Sequence, residues 1–336
     1  MTIRRFDNDD PAIAEFLAAH PHTVFQRPLW NDVLGGGLRV PTFYYALVDE
    51  AGRPELVLPG ATMNLWVLRL FYAGIPYGGF VGPADRIGRF MDEAPAALRA
   101  DGVHAVRIAR GHYDAFGDVP RCRKVPATQH VLHFGDRSAD EVWSGFKRRV
   151  RRDVRKATNR WGVTVRDVTG PDDIARIDAL YADTIRRNHT FRVWTPRILE
   201  RILNEYVLAD RGAMLVAVKD DRILACLLVL FDDDRKVCHG LMGVSDHETL
   251  VMRPNDLLMW TAMERSIARG LEDFDFMTTR AGDEELVGFK DKWGAACYEF
   301  AFYEMDLSPR AGLWQRILRF SRTPLGSFVL RHLWRH

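Results

Sequence analysis

Apolar residues recur along the chain in two periods. The stretches TFYYALVDE (42–50) and ELVLPGATMNLW (55–66) are rich in β-branched and aromatic residues and flank the turn EAGRPE. They predict two paired strands. RIGRFMDEAPAALRADG (86–102) spaces its apolar residues as one face of a helix and stops at Gly102. FQRPLWNDVLG (25–35) reads as a short helix, LFYAGIPYGGFVGP (70–83) as a bent strand, and VHAVRIARG (103–111) and TQHVLHFG (128–135) as strands. Further along, Ser138 and Glu141 have capping-box spacing. Val142, Phe146, Val150 and Val154 then recur every fourth residue, which predicts one helix continuing from Phe146 to Arg160.

Helices are also predicted from Pro171 to Asn188 and from Pro196 to Leu208. Residues 213–244 alternate strand-like runs with acidic turns. PNDLLMWTAMERSIARG (254–270) has Pro254 in its first turn and Gly270 at its end, the positions at which each residue suits a helix. FDFMTT (274–279) and AACYEFAFYEM (295–305) complete the strand set. Each half thus runs helix, strands, helix, strand, and the fold class is mixed α/β.

A chain of 336 residues suits two domains rather than one core. With 47% hydrophobic and 27% charged residues, it has the composition of a globular protein. No run reaches the ~18 uninterrupted apolar residues of a membrane span. The start MTIRRFDNDDPAIAEF has no apolar targeting segment, and the four cysteines show no CxxC or metal spacing. A cytoplasmic protein without a metal site or tightly bound cofactor is expected, with the inner membrane face as a second location. Oligomeric state is not legible.

The net charge of +2 conceals segregation. Residues 147–160 carry Lys147, Arg148, Arg149, Arg151, Arg152, Arg155, Lys156 and Arg160 against Asp153 alone. From Arg310 onward there are six arginines and no acid. Such foci point to an anionic partner: RNA, a diphosphate or an anionic membrane. The tail interleaves its arginines with Leu313, Trp314, Ile317, Leu318, Phe328, Leu333 and Trp334. It suits either a membrane interface or docking on the protein body.

VGFKDKWGAACYEF (287–300) sets Phe289, Lys290, Trp293 and Gly294 close together, as if the backbone passes near something. With RPNDLLMWTAMERSIARGLEDFDF before it, FQRPLW near the start, FKRRVRRDVRKATNRWGVTV at the junction and YADTIRRNH, the chain resembles the FemAB-like transferases over about residues 20–305. The resemblance implies two GNAT-like domains in tandem, at 1–135 and 136–308, followed by the basic tail 309–336. It implies transfer of an aminoacyl or acyl group to an amine. The donor is then aminoacyl-tRNA, with acyl-CoA as the alternative, and the acceptor is envelope-related, anionic or lipid-linked. In place of the glycine-rich CoA turn stands VMRPNDLL (251–258), which argues against a pyrophosphate nest. The resemblance also implies a phosphate-binding lysine four residues beyond Trp30, where this chain has Leu34.

On this reading Lys290 is the cation facing the developing oxyanion and Phe289 a wall of the aminoacyl pocket. Asp275 is the first candidate base and Asp256 the second, with substrate-assisted proton transfer, and no protein base, an equal alternative. Arg253, Asn255, His239, Trp293, Arg186 and His189 are candidate substrate contacts. Gly240 and Gly243 are expected at a bulge near the acyl carbonyl. Lys147, Arg148, Arg151, Arg152 and Arg155 are candidate anion ligands. The competing reading is a non-catalytic RNA- or membrane-binding module.

Overall fold

The computed structural model describes residues 2–65, 68–188, 193–279 and 282–312. The chain divides into two compact units. One comprises residues 1–35, 39–126 and 301 onward; the other comprises 36–38 and 127–300.

The first unit contains β1 (Thr2–Phe6), α1 (Pro11–Ala19), α2 (Pro28–Leu38) as far as Gly35, β2 (Thr42–Val48), β3 (Pro54–Leu65), β4 (Leu68–Ala73), α3 (Ile87–Ala100) and β5 (Ala105–Arg110). Its strands lie in chain order, antiparallel from β1 to β4 and parallel between β4 and β5. β2 is buried from Phe43 to Val48 because both its faces are covered. Phe43, Tyr45 and Leu47 join α3 in one core, and Tyr44, Ala46 and Val48 join α1 in another. The start of the basic tail belongs here: Ala311 is buried against Leu68 and Ala105. The tail from Leu313 lies outside the described residues.

The second unit takes in β6 (Arg123–His133) from Ala127 onward. There follow α4 (Ala139–Gly145), α5 (Arg148–Arg155), β7 (Thr164–Asp167), α6 (Pro171–Asn188), α7 (Pro196–Ile202), β8 (Gly212–Lys219), β9 (Arg222–Asp232), β10 (Val237–Ser245), α8 (Pro254–Ala268), β11 (Asp273–Thr279), α9 (Glu284–Asp291) and β12 (Ala296–Asp306). The strand order is β12-β6-β11-β10-β9-β8-β7, in which β10 and β11 are parallel. β12 counts with this unit through Phe300 and with the first from Ala301, where it pairs antiparallel with β5. The breaks fall inside two strands rather than at the expected 135 and 308, because β6 and β12 each run on from one unit into the other.

α4 starts on the Ser138–Glu141 capping box. The capped helix α4 does not run on into the helix expected over 146–160, which starts two residues late. Phe146 is extended, with φ −68° and ψ 147°; α5 restarts at Arg148, and residues 156–160 widen into a π-turn. Gly145 weakens the end of α4. The Phe146 ring packs edge-on against Trp260 and Trp293, at 5.8 and 5.2 Å. Burial of Val142, Phe146, Val150 and Val154 survives the break, so the apolar stripe was read correctly and the continuity was not. Ser138→Ala should cost about 1 kcal/mol, measured as a lower urea midpoint at unchanged slope; an unchanged midpoint refutes this account of the cap.

Candidate functional site

The parallel pair β10/β11 holds register only over Val237–Asp273, Cys238–Phe274 and His239–Asp275. Beyond it each strand bulges. In β10 the register against β9 shifts between Gly240 and Met242. In β11 it shifts against β6 between Asp275 and Thr278, so Phe276 and Met277 together face His130. The parallel pairing of the two strands thus ends at His239 and Asp275. Gly243, farther along β10, is exposed, and a side chain there would meet nothing.

Met277 has φ +61°, a left-handed conformation that costs a non-glycine residue about 1 kcal/mol or more. Lys290 accounts for its persistence. The Lys290 side chain, 3% exposed, donates from Nζ to the Met277 carbonyl and to Thr279 Oγ1, both at 2.7 Å. Met277 N–H donates to Asp275 Oδ1 at 2.8 Å. The bulge is therefore pinned on both sides of one residue. Burial lowers the Lys290 pKa to about 8, against the opposing pull of Asp275, Asp283 and Cys297. The ammonium form thus predominates at neutral pH, with one N–H uncommitted among the described residues.

A second buried network lies at the same level. Asp275 Oδ2 accepts from Gln129 Nε2 at 2.8 Å and lies 3.0 Å from His239 Nδ1. His239 Nε2 lies 3.9 Å from Asp232 Oδ2, and none of Asp232, His239 and Asp275 is exposed. Burial disfavours charge on His239, but Asp232 and Asp275 outweigh it and raise the pKa. Burial also opposes ionisation of Asp275; His239, Gln129 and the Met277 amide prevail and hold its pKa down. A carboxylate so held is a weak proton acceptor. Asp275 fits the part of an anchor for the buried His239 ring better than that of the base expected from sequence.

Asp256, the second candidate, is 3% exposed at the start of α8 and ion-paired with Lys292. Lys292 also lies 4.1 Å from the Phe289 ring centroid, so the Phe289 face is covered by its own helix neighbour. Trp293 is buried in the core, and its Nε1 makes no hydrogen bond among the described residues. Gly288 and Gly294 have open space where a side chain would go. The close backbone approach expected of them is absent, and Gly294 is needed instead for its φ of +81° after α9.

At the end of β10, Asn255 Nδ2 donates to Ser245 Oγ at 3.1 Å, tying α8 to that strand. Arg253, left-handed at φ +62°, precedes Pro254 and reaches Asp153 at 3.8 Å. Arg152 and Arg149 point to the same carboxylate, at 3.1 and 3.9 Å. One buried acid thus gathers three guanidiniums. Arg155 lies over the Trp143 ring at 5.6 Å. Lys147 and Arg148 are exposed and Arg151 is half-buried. Arg186 is ion-paired with Asp183 on the exposed end of α6, and His189 lies outside the described residues.

Several site residues escaped the sequence reading. Gln129, Asp232 and Thr279 carry no motif and matter through cross-strand position alone. His130 is 1% exposed; burial, then the Lys290 charge, lower its pKa against the pull of Asp291. Its only legible signal was a histidine in the alternating run TQHVLH. Trp30 and Leu34 are both buried on α2, so the place of the expected phosphate-binding lysine is core. No group of metal-ligating side chains occurs among the described residues.

The depressed Lys290 pKa makes a signed prediction. The unfolded chain binds more protons than the folded chain between about pH 8 and 10.5, so this residue's contribution to stability rises with pH across that window. Urea unfolding of wild type and Lys290→Met should show the difference moving toward wild type from pH 8 to 10. A flat difference contradicts the buried-ammonium assignment.

Residues 144–291 match the family model described as an acetyltransferase (GNAT) domain. No curated protein matches the sequence. Among solved structures the chain is similar to FemX, at 17% identity over 94% of this chain and 100% of that one, with a TM-score of 0.63. It is similar to a tandem GNAT protein from the clavulanic acid biosynthesis pathway: 13% identity, 91% and 99% covered, TM-score 0.60. It is also similar to the C-terminal domain of a putative lysylphosphatidylglycerol synthetase from Agrobacterium fabrum: 13% identity, 88% and 90% covered, TM-score 0.55.

Proposed function

Given a chain with the FemAB-like tandem GNAT fold and a GNAT acyltransferase domain, we propose that it forms an amide by moving an aminoacyl group from aminoacyl-tRNA to an amine on an anionic or lipid-linked acceptor. The observation that carries this reading is the buried Lys290 ammonium fixed at the bulge where β10 and β11 part. A carbonyl brought to the two strands just beyond their last paired residues would meet a cation whose position is set in advance. Such a group is worth roughly 3 kcal/mol to a developing oxyanion, about a hundredfold in rate. The amine attacks the carbonyl carbon, the oxyanion forms beside Nζ, and the ester oxygen of the tRNA leaves. Proton transfer from the amine within the substrates suits a site whose nearest carboxylate is held ionised by its own partners.

The choice of donor rests on charge and on the α8 turn. Pro254 removes one amide from the helix start, and no Gly-x-Gly precedes it. Lys147, Arg148, Arg151, Arg152 and Arg155 offer instead a basic surface for a polynucleotide. The acyl-CoA reading draws on Arg253 at the helix start, and a tRNA-independent product would favour it. Similarity to a putative lysylphosphatidylglycerol synthetase is in line with a lipid acceptor. No helix among the described residues is long and apolar enough to cross a membrane, so contact with such an acceptor is proposed to be peripheral, through the tail.

Purified protein given labelled aminoacyl-tRNA or labelled acetyl-CoA, with amine-bearing lipids, should form an amide from the tRNA only; label from acetyl-CoA alone reverses the choice of donor. Lys290→Met should lower kcat about a hundredfold. The wild-type advantage should fade above about pH 8 as the ammonium loses its proton. Full activity in that variant removes Lys290 from the chemistry. Changing Lys147, Arg148 and Arg151 to Gln should weaken tRNA binding and reduce its salt slope by about one for each phosphate no longer neutralised. An unchanged slope places the tRNA elsewhere.

A further inference from the structure

Three neighbouring strands of the second unit set a carboxylate, an imidazole and a hydroxyl in line, apart from the Lys290 contacts. His133 on β6 and Asp273 on β11 are direct cross-strand partners. His133 Nδ1 lies 2.7 Å from Asp273 Oδ1, and Nε2 of the same ring lies 2.6 Å from the Tyr298 hydroxyl on β12. An ionised carboxylate only accepts, so Nδ1 carries the proton and donates it. Nε2 is left as the acceptor, and the Tyr298 hydroxyl donates to it. The two rings stand perpendicular, at 89° with centroids 5.7 Å apart.

This order of groups is that of a base-activated nucleophile: a hydroxyl within reach of a base whose tautomer a third group fixes. Access is open. His133 is 44% exposed, Asp273 is 18% exposed and Tyr298 is half-buried, so small substrates and water reach the line. Its members come from β6, β11 and β12, so strand register rather than a flexible loop sets the geometry.

We propose that Tyr298 is a nucleophile for acyl groups, activated by His133 and positioned through Asp273, with activated carboxylic esters or thioesters as substrates. The Tyr298 oxygen attacks the acyl carbonyl carbon while its proton passes to His133 Nε2. The bond from that carbon to the ester oxygen or thioester sulfur breaks. The leaving group keeps the electron pair and takes the proton from His133, giving an O-acyl tyrosine. Water attacking the same carbon, with His133 again accepting the proton, releases the carboxylic acid and restores the phenol.

The test uses the full chain carrying Cys297→Ser, because the neighbouring exposed thiol competes for reagent. The protein is incubated with p-nitrophenyl acetate; released p-nitrophenolate is followed, and peptide mass spectrometry locates the acetyl group. One acetyl group is expected on Tyr298, removed by Tyr298→Phe. Its rate of formation should drop at least about tenfold in both His133→Gln and Asp273→Asn. Asp273→Asn serves as the second variant should His133→Gln not fold, with circular dichroism reporting on each. If the line only ties strands together, Tyr298 stays unlabelled, or is labelled equally fast in a folded variant; either result overturns the proposal.

Discussion

A single buried ammonium holds the site of this protein together. Lys290 bonds the carbonyl of Met277, a residue forced left-handed by a bulge, and the hydroxyl of Thr279 two residues on. A hydrogen bond involving a charged group contributes about 1.5–3 kcal/mol, which offsets the local backbone strain. The bulge shifts the register of β11 against β6 just where the pairing of β11 with β10 ends. Without that cation the strand has reason to relax into regular pairing.

Two buried networks meet at this place and do different work. Lys290 carries a charge that burial destabilises, visible in its depressed pKa. On His239 burial disfavours charge but two carboxylates outweigh it, visible in its raised pKa. The Asp275 carboxylate influences both and bonds the bulge through the Met277 amide. Buried charge of this kind is costly unless every member has partners. The site is therefore rigid by necessity, which suits chemistry that depends on a fixed cation more than on a mobile base.

The basic surface follows a separate logic. Most of the cations on α5 are unpaired on their own helix because there is only one acid to pair with. That acid, Asp153, is buried and draws Arg149, Arg152 and Arg253 into one cluster. Charge is thereby concentrated beside the start of α8 rather than spread along the helix. The arrangement raises the positive potential beside that turn.

Local chemistry made much of this legible from sequence. The capping box at Ser138, the stops at Gly102 and Gly270, and the strand runs of the second half depend on neighbours a few residues apart, and they stand where periodicity put them. The FKDKWG stretch marked Lys290 as unusual, because a lysine between bulky aromatics is seldom a plain surface residue. What Lys290 touches was not legible: Met277 and Thr279 come from another element, and their contact exists only once β11 has bulged. The break at Phe146 was hidden because it depends on rings from Trp260 and Trp293, far along the chain. The pairing of His239 with Asp275, and the line from Asp273 through His133 to Tyr298, are products of strand register. Sequence spacing sets which residues share a face of one strand; only the folded sheet decides which residues of different strands stand opposite each other.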